Sequence, residues 1–137
     1  MSSGDRLTGY ARLAFVATAR VFVVCLVIQL FLVGLDVFGV IGTENGIHRE
    51  FAYAYGWLAP LLVLLAGVSQ APRRQVQLAA MLLVLFAVQT YLPSLAKELP
   101  LLAAIHSVNA LAVFWLALTL ARAPSRPVEP SNSSGGT

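Results

Sequence analysis

Charge is scarce in this sequence: 11% of its 137 residues are Asp, Glu, Lys or Arg, where soluble domains carry about 25%. The formal charge of +3 is too small to mark a nucleic-acid-binding chain, and its distribution tells more than its sum. Cysteine is nearly missing as well. Cys25 stands alone inside an apolar run, which excludes an intramolecular disulfide and any CxxC metal or redox motif. It reads as a small hydrophobe. A phosphate-binding loop, a nucleophile triad and paired catalytic carboxylates are also absent, so nothing in the chain points to hydrolysis or phosphoryl transfer.

What is abundant is apolar. Hydrophobic residues make up 58% of the chain and the mean hydropathy is +0.80, values that belong to a membrane protein. Four stretches stand out, at 13–35, 47–68, 75–92 and 101–121. Crossing about 30 Å of hydrocarbon takes about 20 helical residues, with a range of about 17–25, so each is long enough. They are continuous and rich in Leu and Ala, which argues against strands alternating with period two. The first is too long for a signal-peptide core and is expected to stay in the mature protein.

The connections suit helices. Gly42 and Asn45-Gly46 break the chain before the second stretch, and Ala71-Pro72-Arg73-Arg74 makes a tight turn after it. Pro93 closes the third stretch, and Pro100 falls in the first turn of the fourth, where its missing N–H is harmless. Residues 1–12 read as a cytoplasmic N-terminal segment and 122–137 as a disordered cytoplasmic tail. The expectation is an all-α membrane fold: an up-down bundle of four transmembrane helices.

Basic residues set its orientation. Arg6, Arg12, Arg20, Arg73, Arg74, Arg122 and Arg126 fall on one side, against Arg49 and Lys97 on the other. Both termini are therefore expected in the cytoplasm. The arginine-rich, Ala- and Leu-rich composition suggests a GC-rich bacterial genome, hence a multi-pass plasma-membrane protein surrounded by lipid. Its oligomeric state is open.

One pattern recurs. His48 is followed by Ala52, Ala54, Trp57-Leu58-Ala59 and Leu62; 58 residues later His106 is followed by Ala110, Ala112, Trp115-Leu116-Ala117 and Leu120. The first and third stretches correspond too, through Gln29-x-Phe31-Leu32 and Gln89-x-Tyr91-Leu92. The chain thus reads as two parallel helical-hairpin repeats about an axis along the membrane normal. Histidine is rare inside apolar spans and marks function by default. With the second and fourth helices at diagonal corners about 12–14 Å apart, inward-pointing imidazoles of His48 and His106 would hold a flat cofactor between them.

Ala52, Ala59, Ala110 and Ala117 share the face of the histidines. They would leave room for a macrocycle, or equally let bare helices approach closely. Trp57 and Trp115 point away, towards lipid or a neighbour. Two histidines are too few for a closed zinc site, so the cofactor would be haem b, and with both axial positions filled its chemistry would be electron transfer to a redox partner. Arg49 beside His48 is a residue for solvent or a haem propionate, and Glu44 for the loop or for orienting His48. Against haem stands a plainer reading, in which both histidines cap helices or bond across the bundle and the chain is a non-enzymatic accessory or assembly subunit of a larger membrane complex. Gln29, Gln89 and Asn109 are expected to bond between helices, Asp36 to end the first span, and Tyr53 and Tyr55 to serve a belt or the packing.

Ile47-His48-Arg49 and Ala104-Ile105-His106-Ser107-Val108-Asn109-Ala110-Leu111 resemble motifs of a family of small, mostly actinobacterial, four-helix membrane proteins, over residues 10–122. Ser107 stands where that family often has proline. The arrangement is also similar to one four-helix half of haem A synthase and to small b-type membrane cytochromes. That resemblance implies His48 and His106 as axial ligands; the synthase glutamate three residues before its first histidine has no counterpart, since Glu44 lies four before.

Overall fold

The computed structural model describes residues 2–40 and 46–124. Glu44, Asn45 and most of the first loop lie outside this range, as do Arg126 and the tail from residue 125. Every regular element among the described residues is helical: α1 (Ser3–Val37), α2 (Ile47–Gly56), α3 (Leu58–Val68), α4 (Arg73–Tyr91), a short 3₁₀ turn (Leu92–Leu95) and α5 (Pro100–Ala121). Four segments are long and apolar enough to cross a membrane, with α2 and α3 together forming one of them.

α1 begins ten residues ahead of the expected span, and the reason is local. Ser2 Oγ accepts from Asp5 N–H at 3.2 Å while an Asp5 carboxylate oxygen accepts from Ser2 N–H at 2.8 Å. This capping box satisfies the first free donors and starts the helix at Ser3. At about 1.5 Å per residue α1 is about 50 Å long, more than a bilayer core needs. It ends where Gly39 takes a φ of +67° and Val40 N–H reaches Leu35 C=O at 2.9 Å, a left-handed cap that glycine adopts without a Cβ clash.

The second span covers Ile47–Val68 as expected, but it is interrupted at Trp57. Pro60 explains the interruption: it has no N–H to return to Gly56 C=O, and its ring crowds that carbonyl. Pro93 likewise converts the end of the third span into the 3₁₀ turn.

α1 packs against α3 and α5, and α4 packs against the same two helices, so α3 and α5 face each other across the bundle. The core is concentrated towards the end that carries the termini. Phe15, Val16, Ala19 and Phe22 of α1, Leu62 and Ala66 of α3, Ala79 and Leu82 of α4, and Val113, Ala117 and Leu120 of α5 are buried there. No residue of α1 beyond Phe22 is buried. At the upper edge of this core, Phe22, Tyr55 and Phe86 form a mutual edge-to-face triad with all three ring centroids 5.5 Å apart. Each such pair contributes about 0.5–1.5 kcal/mol beyond area burial. Above the triad polar contacts join the apolar ones between helices.

Candidate functional site

His48 occupies the first turn of α2, just across the loop from the last turn of α1. Its Nδ1 lies 3.2 Å from an Asp36 carboxylate oxygen, with the imidazole 37% and the carboxylate 22% exposed. The contact fastens the two ends of the first hairpin. Asp36 therefore does more than end its span, and the sequence did carry a signal: the two residues flank a single loop, so antiparallel helices bring them together. Arg49 and Glu50 beside them form a surface pair at 3.6 Å, with both side chains about two-thirds exposed. Arg49 is directed to solvent.

His106 sits deeper, between α5 and α4, and both of its ring nitrogens are engaged by one residue. Nδ1–H donates to the backbone carbonyl of Gln89 at 3.0 Å, and Nε2 accepts from the Gln89 side-chain amide at 3.1 Å. Asn109, one turn further along α5 and buried, donates to Gln89 Oε1 at 2.7 Å and to Leu85 C=O at 2.9 Å. Donors and acceptors match throughout if the imidazole is neutral with its proton on Nδ1, the tautomer this network selects. Gln89 and Asn109 bond across helices as expected, and His106 is the third member of their cluster.

The repeat does not extend to these bonds. Gln89 holds His106, but its counterpart Gln29 does not hold His48, and Gln29 Oε1 is a buried acceptor without a partner among the described residues. The second hairpin is thus tied by Gln–His–Asn and the first by Asp–His.

The two histidines differ in how they are engaged. His106 has no nitrogen left for a metal, whereas His48 keeps Nε2 without a partner among the described residues. Their depths differ as well. His48 lies seven residues from Tyr55, about 10 Å along its helix, whereas Gln89, which holds His106, lies three residues from Phe86, about 4.5 Å. Of the four alanines, Ala59 and Ala117 are fully buried in the packed core, Ala110 is half-buried above it, and Ala52, also half-buried, lines a cavity of about 350 Å³ together with Tyr53, Gly56, Trp57, Pro60, Phe86 and Thr90. Small side chains here bring helices together. Trp57 (78% exposed) and Trp115 (68%) do point outward, as their spacing required.

A second polar cluster, at the other end, was not anticipated. Arg12 is only 6% exposed. Its Nε donates to Pro124 C=O at 3.0 Å, Nη1 donates to Gln75 Oε1, and the guanidinium stacks 5.5 Å from the Phe15 ring centroid. Arg20 Nε lies 3.4 Å from the Ala121 carbonyl, placing positive charge at the negative end of α5. The sequence signal was periodicity: Arg12 shares a helical face with Phe15, Ala19 and Phe22.

No protein-family model, curated protein or solved structure matches this chain.

Proposed function

We propose that this integral membrane protein is a non-enzymatic accessory or assembly subunit of a larger membrane complex. The observation that carries the reading is the commitment of its rare polar side chains: His48, His106, Gln89, Asn109 and Asp36 are occupied in fastening neighbouring helices. Such contacts set helix register without forming a reaction centre. An exterior that includes Trp57, Trp115, Phe31 and Leu111 is apolar enough for lipid and for a partner's helices alike. The test is native gel electrophoresis of membranes solubilised in mild detergent. The tagged chain should migrate in an assembly well above its own mass and fall to the small form in harsher detergent. Migration only as the free chain in the mildest detergent contradicts the proposal.

The competing proposal is a b-type haem held by His48 and His106 for electron transfer. The sequence pattern and the diagonal placement of the two helices favour it. It requires His106 to abandon Gln89, which separates the two readings experimentally.

The orientation belongs with the same proposal. The bonds from Arg12 to Gln75 and Pro124 bring the start of α1, the start of α4 and the end of α5 to one end of the bundle. The excess of arginine at that end supports placing it in the cytoplasm of a bacterial plasma membrane.

A further inference from the structure

We propose that the cavity beside the break in the second span binds an uncharged, lipid-soluble alcohol or phenol. The break falls at Trp57, midway along the 22-residue span Ile47–Val68, and so near the middle of the bilayer. Two backbone carbonyls lose their helical donors there. Pro60 has no N–H to give to Gly56 C=O. Trp57 N–H turns to Tyr55 C=O instead of reaching Tyr53 C=O, four residues back. Hydrocarbon offers such groups no partner, and leaving them bare at that depth is costly.

Tyr53 and Gly56 both line the cavity of about 350 Å³, with Trp57, Pro60, Phe86 and Thr90 around them. Trp57 is 78% and Tyr53 54% exposed, and neither the indole N–H nor the phenol hydroxyl bonds to another group among the described residues. Thr90 gives its own proton to Ala87 C=O at 2.8 Å, so its oxygen is left to accept. Acceptors and donors without partners thus surround one space with aromatic walls. No charged side chain lines it, so the occupant is neutral. A hydroxyl answers the site because it donates and accepts in one group. An ether only accepts, and an alkyl chain does neither. The exposed faces of Trp57 and Tyr53 open the site to lipid, and the molecule enters from the bilayer with its apolar body against Trp57 and Phe86. A mostly apolar cavity of this size with a few placed polar groups is the usual form of a small-molecule site. The inference stands whether or not the chain docks on a larger complex.

The chain has two tryptophans, so Trp115→Phe leaves Trp57 as a fluorescent reporter within the cavity. The full-length variant is reconstituted in phosphatidylcholine vesicles. It is titrated with a long-chain alcohol brominated beside its hydroxyl, or with the methyl ether of that alcohol. The alcohol should quench Trp57 saturably, with a midpoint about tenfold lower than the ether's, as one or two hydrogen bonds require. Pro60→Ala returns a donor to Gly56 C=O and should cut that preference to about twofold or less. Trp57→Phe leaves Trp115, which does not line the cavity, and should show only the gradual quenching of molecules dissolved in lipid. Equal midpoints for alcohol and ether, or a preference undiminished in Pro60→Ala, overturn the proposal. So does gradual, unsaturated quenching of Trp57 by both probes, which leaves the cavity to acyl chains or to a partner's helix.

Discussion

Gln89 is the residue on which the second hairpin turns. Its amide donates to His106, its side-chain oxygen accepts from Asn109, and its backbone carbonyl accepts from His106. Asn109→Leu removes both bonds that Asn109 makes to α4 while keeping a branched side chain of the same number of heavy atoms. Interhelical bonds in membranes are worth about 0.6 kcal/mol on average and up to about 1.7, so the variant should lose about 1–2 kcal/mol in reversible unfolding from mixed detergent. No loss would mean the cluster is idle. At this scale much was legible, because an amide or an imidazole in an apolar run must find a partner. The identity of the partner was less so. His106 looked towards His48 by sequence symmetry, whereas in the fold it bonds to the amide on the adjacent helix. Arg12 was hidden for a different reason: an arginine near a span's end reads as solvated until the face it shares with Phe15 and Phe22 is considered.

Among the elements, the broken second span is the most specific departure from a plain bundle. Its limits were evident from Gly46 and Pro72, yet the interruption at Trp57 depends on Pro60, which a hydropathy profile does not register. Gly56 sits against Phe86 so closely that a Cβ there would lie 3.0 Å from the ring, so the break also sets how near α2 comes to α4. Pro60→Ala restores the missing N–H and its bond to Gly56 C=O, and amide exchange across residues 56–61 should slow. Unchanged or faster exchange there would show that something other than the proline interrupts the helix. α1 teaches a similar lesson at its start. The capping box at Ser2 and Asp5, a two-residue signal, extends the helix ten residues beyond the apolar stretch that announced it. The end of α3 is capped by Gln70 at a φ of +49°, a left-handed position that an L-residue occupies at some strain and that no glycine in the sequence marked.

For the molecule as a whole, the four spans, their up-down order and the diagonal placement of α3 and α5 follow from apolar run lengths and short connections, and all are present. What could not be read was the uneven packing along the bundle axis. Buried apolar side chains gather at the end that carries the termini, and the opposite end relies on Asp36–His48 and Gln89–His106–Asn109. The proposed orientation is open to a direct check. A cysteine introduced at Ser2 in a Cys25→Ala background should resist a membrane-impermeant maleimide in intact cells and react after permeabilisation. Labelling in intact cells would reverse the assignment.

The central claim is that the histidines are fasteners rather than axial ligands. It is tested most directly by the reduced-minus-oxidised absorption spectrum of the chain, expressed with ample haem and purified in mild detergent. The account predicts a folded protein with no b-type band, and no spectral change in His48→Ala or His106→Ala. A stoichiometric b-type band that disappears in both variants would contradict it and establish the haem reading in its place.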